Sequence, residues 1–331
     1  MCGIVGYLGS RDGRQIVIDG LRRLEYRGYD SAGIAVVADG ELYTRKKAGK
    51  IANLAAAIEA DPLPESGTAI GHTRWATHGA PTDANSHPHV AGRIAIVHNG
   101  IIENYAELRS YLARNGHTLV SDSDSEVIAH LVEDAWKGPA RGDLVRALSN
   151  AAERLTGSYA IAVICADAPD QVAVTRKGAP LVVASAEDGA YAASDVTPLA
   201  SVTSHVITLD DGQLALLEGS GGVQVFDADC NPVEHPDTFD IDWDASAATL
   251  GGYPDFMAKE ISEQPEAIER LLKDRLGEHG INLDELSMSN EELATIDRIY
   301  LVACGTSYHV GLIARELVEQ WAKIPVFCEY A

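Results

Sequence analysis

The sequence predicts a mixed α and β fold in which sheets are covered by helices, followed by a shorter strand–helix–strand unit. Three observations predict it. Residues 1–226 alternate short apolar runs with stretches at helical spacing, and many strands separated by helices imply sheets under helix layers. Residues 227–255 lose this periodicity and gather Pro232, Pro236, Pro254, Gly251-Gly252 and seven aspartates, the texture of a linker. Residues 256–331 regain it for one helix and one strand–helix–strand succession.

The elements follow in order. Ile4–Leu8 and Ile34–Val37 are apolar runs of strand length, and Ala38-Asp39-Gly40-Glu41 carries the signal of a hairpin turn. Ile16, Leu21 and Leu24 fall at helical spacing, as do Leu54 with Ile58 and Leu108 with Leu112. Ser123 and Glu126 have the spacing of a capping box before the apolar run Val127–Val132. Strand-like runs then recur at Tyr159–Cys165, Val172–Thr175, Leu181–Ala184, Val206–Leu209, Leu214–Leu217 and Val223–Phe226. Phe256–Leu276 is helical in pattern, with Pro265 expected to break or start a helix. Arg298–Ala303 reads as a strand, Cys304-Gly305-Thr306-Ser307 as a loop, Tyr308–Ala322 as a helix and Ile324–Cys328 as a strand. A parallel sheet needs more strands and two covered faces, so this second domain is expected to be incomplete.

Composition excludes several classes of function. Asp and Glu number 49 against 26 Lys and Arg, a net charge of −23. So acidic a chain, with no basic stripe, repels phosphate backbones, and no nucleic-acid partner is expected. The apolar runs fall short of the about 18 residues a membrane span needs, and Met1-Cys2-Gly3 opens no visible signal peptide. No membrane association is expected, and the expected location is cytoplasmic. Cys2, Cys165, Cys230, Cys304 and Cys328 are odd in number and form no CxxC pair, which argues against a disulfide framework or a structural zinc site.

Five clusters could carry chemistry. Removal of Met1 would leave Cys2 with both a thiol and a free α-amine, a nucleophile and a general base in one residue. Gly3 beside it would allow a substrate close to the backbone. In Gly71-His72-Thr73-Arg74-Trp75-Ala76-Thr77-His78-Gly79, Arg74 can grip a carboxylate and Trp75 suits a closing loop. His72 and His78 have no acidic or cysteine partner at ligand spacing, so neither a metal nor a cofactor is expected. Asn99-Gly100 at a strand end can present a side-chain amide and a backbone N–H as an oxyanion hole. Asp124, near a helix start, can hold an ammonium group. Thr306 and Ser307 sit between a strand and a helix, where phosphates bind. Each cluster alone has a plainer explanation: a small apolar residue, a surface loop, a tight turn, a helix cap, packing.

Taken together they point further. Met1-Cys2-Gly3-Ile4-Val5-Gly6-Tyr7, Leu24-Glu25-Tyr26-Arg27-Gly28-Tyr29-Asp30-Ser31-Ala32-Gly33, His72–Gly79, His98–Asn104 and Ser123–Ile128 stand in an order that resembles the glutamine–fructose-6-phosphate aminotransferases, or glucosamine-6-phosphate synthases. Lys259-Glu260-Ile261-Ser262-Glu263-Gln264-Pro265 and Ala303-Cys304-Gly305-Thr306-Ser307-Tyr308 extend the likeness to the end of the chain.

The resemblance implies an α+β N-terminal nucleophile hydrolase fold, a four-layer αββα sandwich, over residues 1–226. It implies a linker at 227–255 and the truncated start of an α/β sugar isomerase domain at 256–331. Cys2 would attack the side-chain amide of L-glutamine, with Asn99 and Gly100 as the oxyanion hole. Arg74 would bind the α-carboxylate, Asp124 the α-amine, and Trp75, Thr77 and His78 would line the pocket. Thr306 and Ser307 would touch the phosphate of fructose 6-phosphate, in a site that is incomplete here. The chain alone is expected to act as a glutaminase. Fructose 6-phosphate and homodimerisation are expected only of a full-length protein. An amidophosphoribosyltransferase-type glutaminase and a catalytically silent glutamine-binding module are the alternatives.

Overall fold

A computed structural model describes residues 2–219, 222–241, 252–277, 280–281, 286 and 288–331. The chain divides into two compact units, Met1–Phe256 and Met257–Ala331.

The first unit holds β1 (Gly3–Gly9), α1 (Gly13–Arg23), β2 (Ser31–Ala38), β3 (Glu41–Ala48), α2 (Ile51–Ala60), β4 (Thr68–Arg74), β5 (His89–Ala91), β6 (Ile94–Ile102), α3 (Tyr105–Arg114), α4 (Glu126–Lys137) and α5 (Leu144–Ala152). Strands β7 (Gly157–Cys165), β8 (Ala168–Lys177), β9 (Val182–Ala186), β10 (Gly189–Ala193), β11 (His205–Thr208), β12 (Leu214–Glu218), β13 (Val223–Phe226) and β14 (Thr238–Asp240) follow. They form an eight-stranded sheet, β14-β11-β9-β10-β1-β4-β2-β3, and a six-stranded sheet, β13-β12-β8-β7-β6-β5, all with antiparallel neighbours.

Side-chain alternation builds the layers. On β1, Ile4 and Leu8 pack with Ala95, Val97, Ala160 and Val174 of the other sheet, while Val5 and Tyr7 pack with Val17, Leu21, Ile51 and Leu54 beneath α1 and α2. On β6, Ile94 and Ile96 face the other way and pack with Leu108, Val127, Val132 and Leu148 of α3, α4 and α5. Period-2 alternation with both faces buried explains why these strands read as continuous apolar runs. The result is helix, sheet, sheet, helix: the αββα order that the resemblance implies.

Local chemistry decides the turns. Asp39 (φ 51°) and Gly40 (φ 70°) close the β2–β3 hairpin, as the sequence predicts, with the two positive φ values of a type I′ turn. Strand β10 carried no sequence signal. Gly-Ala-Tyr-Ala-Ala has little strand preference, but small side chains suit a strand buried along its length between β1 and β9. Glu126 does not complete a capping box with Ser123. Its carboxylate accepts from the N–H groups of Val120 and Ser121, at 2.8 Å each, and from the Ser121 hydroxyl. Helix α4 therefore starts two residues later, with Ser125 as its N-cap. Within the segment expected as a linker at 227–255, Thr238–Asp240 pairs with β11 as an edge strand, and residues 242–251 lie outside the described residues.

The second unit contains α6 (Phe256–Arg275), the two-residue strands β15 (Leu276–Gly277) and β16 (Gly280–Ile281), α7 (Asn290–Leu293), β17 (Ile299–Ala303), α8 (Gly305–Ala322) and β18 (Val326–Tyr330). Helix α6 runs through Pro265 rather than breaking there, because Glu, Gln, Ala and Leu around it sustain the helix across one lost hydrogen bond. Strands β17 and β18 are parallel with α8 between them, the βαβ unit the periodicity implies. Among the described residues no helix is long and apolar enough to cross a membrane.

Candidate active site

Strand pairing brings the singled-out residues of the first unit together. Gly3 of β1 pairs with Thr73 of β4, so Cys2 lies beside Arg74 and Trp75 although 73 residues separate Cys2 from Trp75. The Cys2 sulfur accepts the Trp75 backbone N–H at 3.2 Å. Burial pushes the thiol pKa up, and that N–H pulls it back only in part. The thiol is therefore protonated at neutral pH and needs a base before it can attack. Packing requires Gly3: a Cβ there would lie 2.7 Å from Thr73 Oγ1 and 2.8 Å from Leu24 Cδ1.

The second sheet delivers Asn99 and Gly100. Both lie within β6, not in a turn. The Asn99 side chain spans the two sheets. Its Nδ2 donates to the Cys2 carbonyl at 3.3 Å, and its Oδ1 lies 2.9 Å from His72 Nε2. Burial drops the His72 pKa to about 3, so the ring is neutral and donates from Nε2, which fixes the amide with its NH₂ toward Cys2. Gly100 has φ 126°, and a Cβ there would meet the Ser158 carbonyl oxygen at 2.0 Å, so only glycine fits.

Arg74 and Asp124 are both buried, at 4% and 3% exposure. The Arg74 guanidinium donates to the backbone carbonyls of His78 and Gly79, which folds the Trp75–Gly79 loop back over the strand end. Asp124 Oδ2 accepts the Ile102 N–H at 2.8 Å, which pins the carboxylate at the end of β6, and Ser125 donates to Oδ1 at 3.3 Å. Trp75 is 54% exposed, and its ring lies 3.2 Å from where a Gly28 Cβ would be. Thr77 is exposed, and the His78 ring meets Tyr105 edge-on with centroids 4.9 Å apart. Thr306 and Ser307 lie in the second unit, exposed in the first turn of α8, which begins at Gly305 rather than Tyr308.

Sequence reading assigned no role to two residues that hold this site. Asp30 Oδ2 accepts the Ala76 N–H at 2.6 Å, and the Asp30 N–H donates to the Arg74 carbonyl at 2.8 Å. His72 stood out only as a possible metal ligand. Tyr29-Asp30-Ser31 belongs to a segment that carries the family likeness, and that was the one signal available for Asp30.

A model of the glutamine amidotransferase domain matches residues 72–201, the span that carries His72, Arg74, Asn99, Gly100 and Asp124. The chain is 47% identical over its whole length to a glutamine–fructose-6-phosphate aminotransferase (isomerizing) from Streptomyces coelicolor, and 46% identical to one from Clostridium perfringens.

By these matches the chain is similar to the glutamine amidotransferases and carries that domain at residues 72–201.

It covers 54% of each of those two relatives, and so spans about half the length of the curated relatives it matches. The fold agrees with solved structures. It is similar to an allosteric regulatory enzyme of purine biosynthesis (TM-score 0.59, 25% identity, 70% of this chain and 50% of that one). It is also similar in fold to the glutamine phosphoribosylpyrophosphate amidotransferase of B. subtilis (TM-score 0.61, 21% identity, 99% of this chain and 65% of that one).

Behind the Cys2 site, His72, His87, His89 and His98 are buried together, with His72 and His87 ring centroids 4.1 Å apart and His87 and His89 4.6 Å apart. Burial lowers all four pKa values below 6.5, to about 3 for His72 and about 4 for His98. The unfolded chain takes up these protons first as the pH falls. Stability is therefore complete above about pH 6.5, and each ring then costs about 1.4 kcal/mol per pH unit until its folded pKa is reached. Urea midpoints should fall steadily from about pH 7 to about pH 5, and a flat profile would mean that the rings are charged in the folded state.

Proposed function

We propose that Cys2, freed of Met1, hydrolyses L-glutamine to glutamate and ammonia. The observation that carries this reading is the Asn99 amide. It is held by His72 with its NH₂ toward Cys2, and only one of its two N–H donors is used by the Cys2 carbonyl. The α-amine takes the thiol proton, and the sulfur attacks the glutamine side-chain carbonyl. The second Asn99 N–H and the Gly100 N–H hold the oxyanion, the α-ammonium passes its proton to the amide nitrogen so that ammonia leaves, and water hydrolyses the thioester. Arg74 holds the α-carboxylate and Asp124 the α-amine, while Trp75, Thr77 and His78 close over the substrate.

By its likeness to the aminotransferases, residues 1–226 are the glutaminase, 227–255 a linker and 256–331 the start of a sugar isomerase domain. Ammonia would pass to fructose 6-phosphate, for amino-sugar synthesis, only in a protein of the relatives' length. Thr306 and Ser307 would then contribute to the sugar-phosphate site, and dimerisation would belong to that longer protein. The five cysteines are free thiols, which suits a cytoplasmic enzyme.

Glutamate release by the purified chain, with its N-terminus read by intact mass, tests the reading. A processed chain should release glutamate and form no sugar amine from fructose 6-phosphate. A processed chain that releases no glutamate, or a chain fully active with Met1 attached, would overturn it. Asp124→Asn should raise KM for glutamine some 30-fold, about 2 kcal/mol for an unpaired ammonium, with kcat little changed. The amide still accepts the Ile102 N–H, so the melting temperature should hold. An unmoved KM would remove Asp124 from the ammonium site.

A further inference from the structure

We propose that His117, His130 and Glu133 form a zinc-binding site between the end of α3 and α4 of the first unit, separate from the glutaminase centre and independent of the reading above. Among the described residues this is the group of three His, Cys, Asp or Glu side chains whose ligand atoms all lie within 4.8 Å of one another. The spacing of 13 residues between the two histidines gives no local sequence signal.

The backbone places each ligand. Helix α3 ends in a Schellman motif: Gly116, at φ 88°, donates to the Ala113 carbonyl, and the His117 N–H donates to the Leu112 carbonyl at 3.1 Å. That fixes His117 just beyond the helix. His130 and Glu133 are three residues apart on α4 and so share a face. The two Nδ1 atoms are 3.0 Å apart, and Glu133 Oε2 lies 3.9 Å from His117 Nδ1. Tetrahedral zinc with bonds of about 2.0–2.1 Å needs neighbouring ligand atoms about 3.3 Å apart, so the two rings must part slightly and the Glu133 carboxylate must swing inward.

The surrounding groups prepare these ligands. Asp134 Oδ1 lies 2.9 Å from His117 Nε2, which places the ring proton on Nε2 and leaves the Nδ1 lone pair for the metal. His130 Nε2 is buried and without a partner, 3.9 Å from Glu126 Oε1. When zinc takes His130 Nδ1, the ring proton relocates to Nε2, facing that carboxylate. Lys137 holds Glu133 Oε1 at 2.6 Å and leaves Oε2 for the metal. Two imidazoles and one carboxylate suit zinc and leave a fourth position for water. Bound zinc would brace the segment between His117 and α4, which carries Asp124.

The test uses the full chain after treatment with EDTA. Stoichiometric cobalt(II) should give tetrahedral d–d bands without a thiolate charge-transfer band, and zinc should displace it and raise the melting temperature. His117→Ala and Glu133→Gln should abolish the bands. Asp134→Asn keeps all three ligands and should weaken binding about 10–100-fold without unfolding the metal-free protein. Absence of the bands and of the zinc-induced thermal shift, a thiolate signature, or binding that is equal in Asp134→Asn and wild type would each overturn the proposal.

Discussion

Changing Cys2 to serine is expected to lower glutamate release by on the order of 10⁴-fold, the scale on which loss of a covalent nucleophile acts. An α-amine takes a proton far more readily from a thiol near neutral pH than from an alcohol, whose proton is much less acidic. The fold should not notice the change. The sulfur contacts the Trp75 backbone, accepting its N–H at 3.2 Å, and a hydroxyl can do the same. The variant should therefore melt like wild type and still bind glutamine, as calorimetry can show. Release within tenfold of wild type would exclude Cys2 as the nucleophile.

Asn99→Ala is expected to reduce kcat about 10²–10³-fold, some 2.7–4 kcal/mol of barrier, with KM for glutamine moved far less. The charge on the carbonyl oxygen develops only as the sulfur adds, so the amide donor matters most in the transition state. Truncation also leaves the buried His72 N–H without its acceptor, a stability cost of about 1–3 kcal/mol. Asn99→Asp separates the two effects. It can still accept from His72 and fill the space, yet it offers no N–H and brings a negative charge toward the oxyanion. Its kcat should fall at least as far as that of the alanine variant. Steady-state kinetics beside melting curves decide the matter, and an Asp variant with near-normal kcat would exclude Asn99 from the oxyanion hole.

Much of the fold was legible because period and propensity are local. Apolar runs of strand length marked β1, β2, β6 and the later strands, and Asp39-Gly40 marked a turn by the positive φ that both residues adopt. Strand β10 escaped because Gly-Ala-Tyr-Ala-Ala has little preference of its own and is a strand only because its neighbours bury it. Pro265 misled because a proline costs a helix one hydrogen bond, and its surroundings can outweigh that. The Ser123–Glu126 capping spacing misled because Glu126 found N–H groups further back, at Val120 and Ser121.

By itself the sequence determined which residues have suitable chemistry: a thiol next to the chain start, an arginine at a strand end, an Asn-Gly pair, a carboxylate near a helix start. Those are properties of residue type and short spacing. Only tertiary structure decided which of them meet. Cys2 and Asn99 are 97 residues apart and sit on different sheets. That His72 is neutral, that it orients the Asn99 amide toward the thiol, and that His117 faces His130 all follow from burial and cross-element distance. Neither quantity is encoded in a local window, because each depends on how two sheets and a helix layer close against one another.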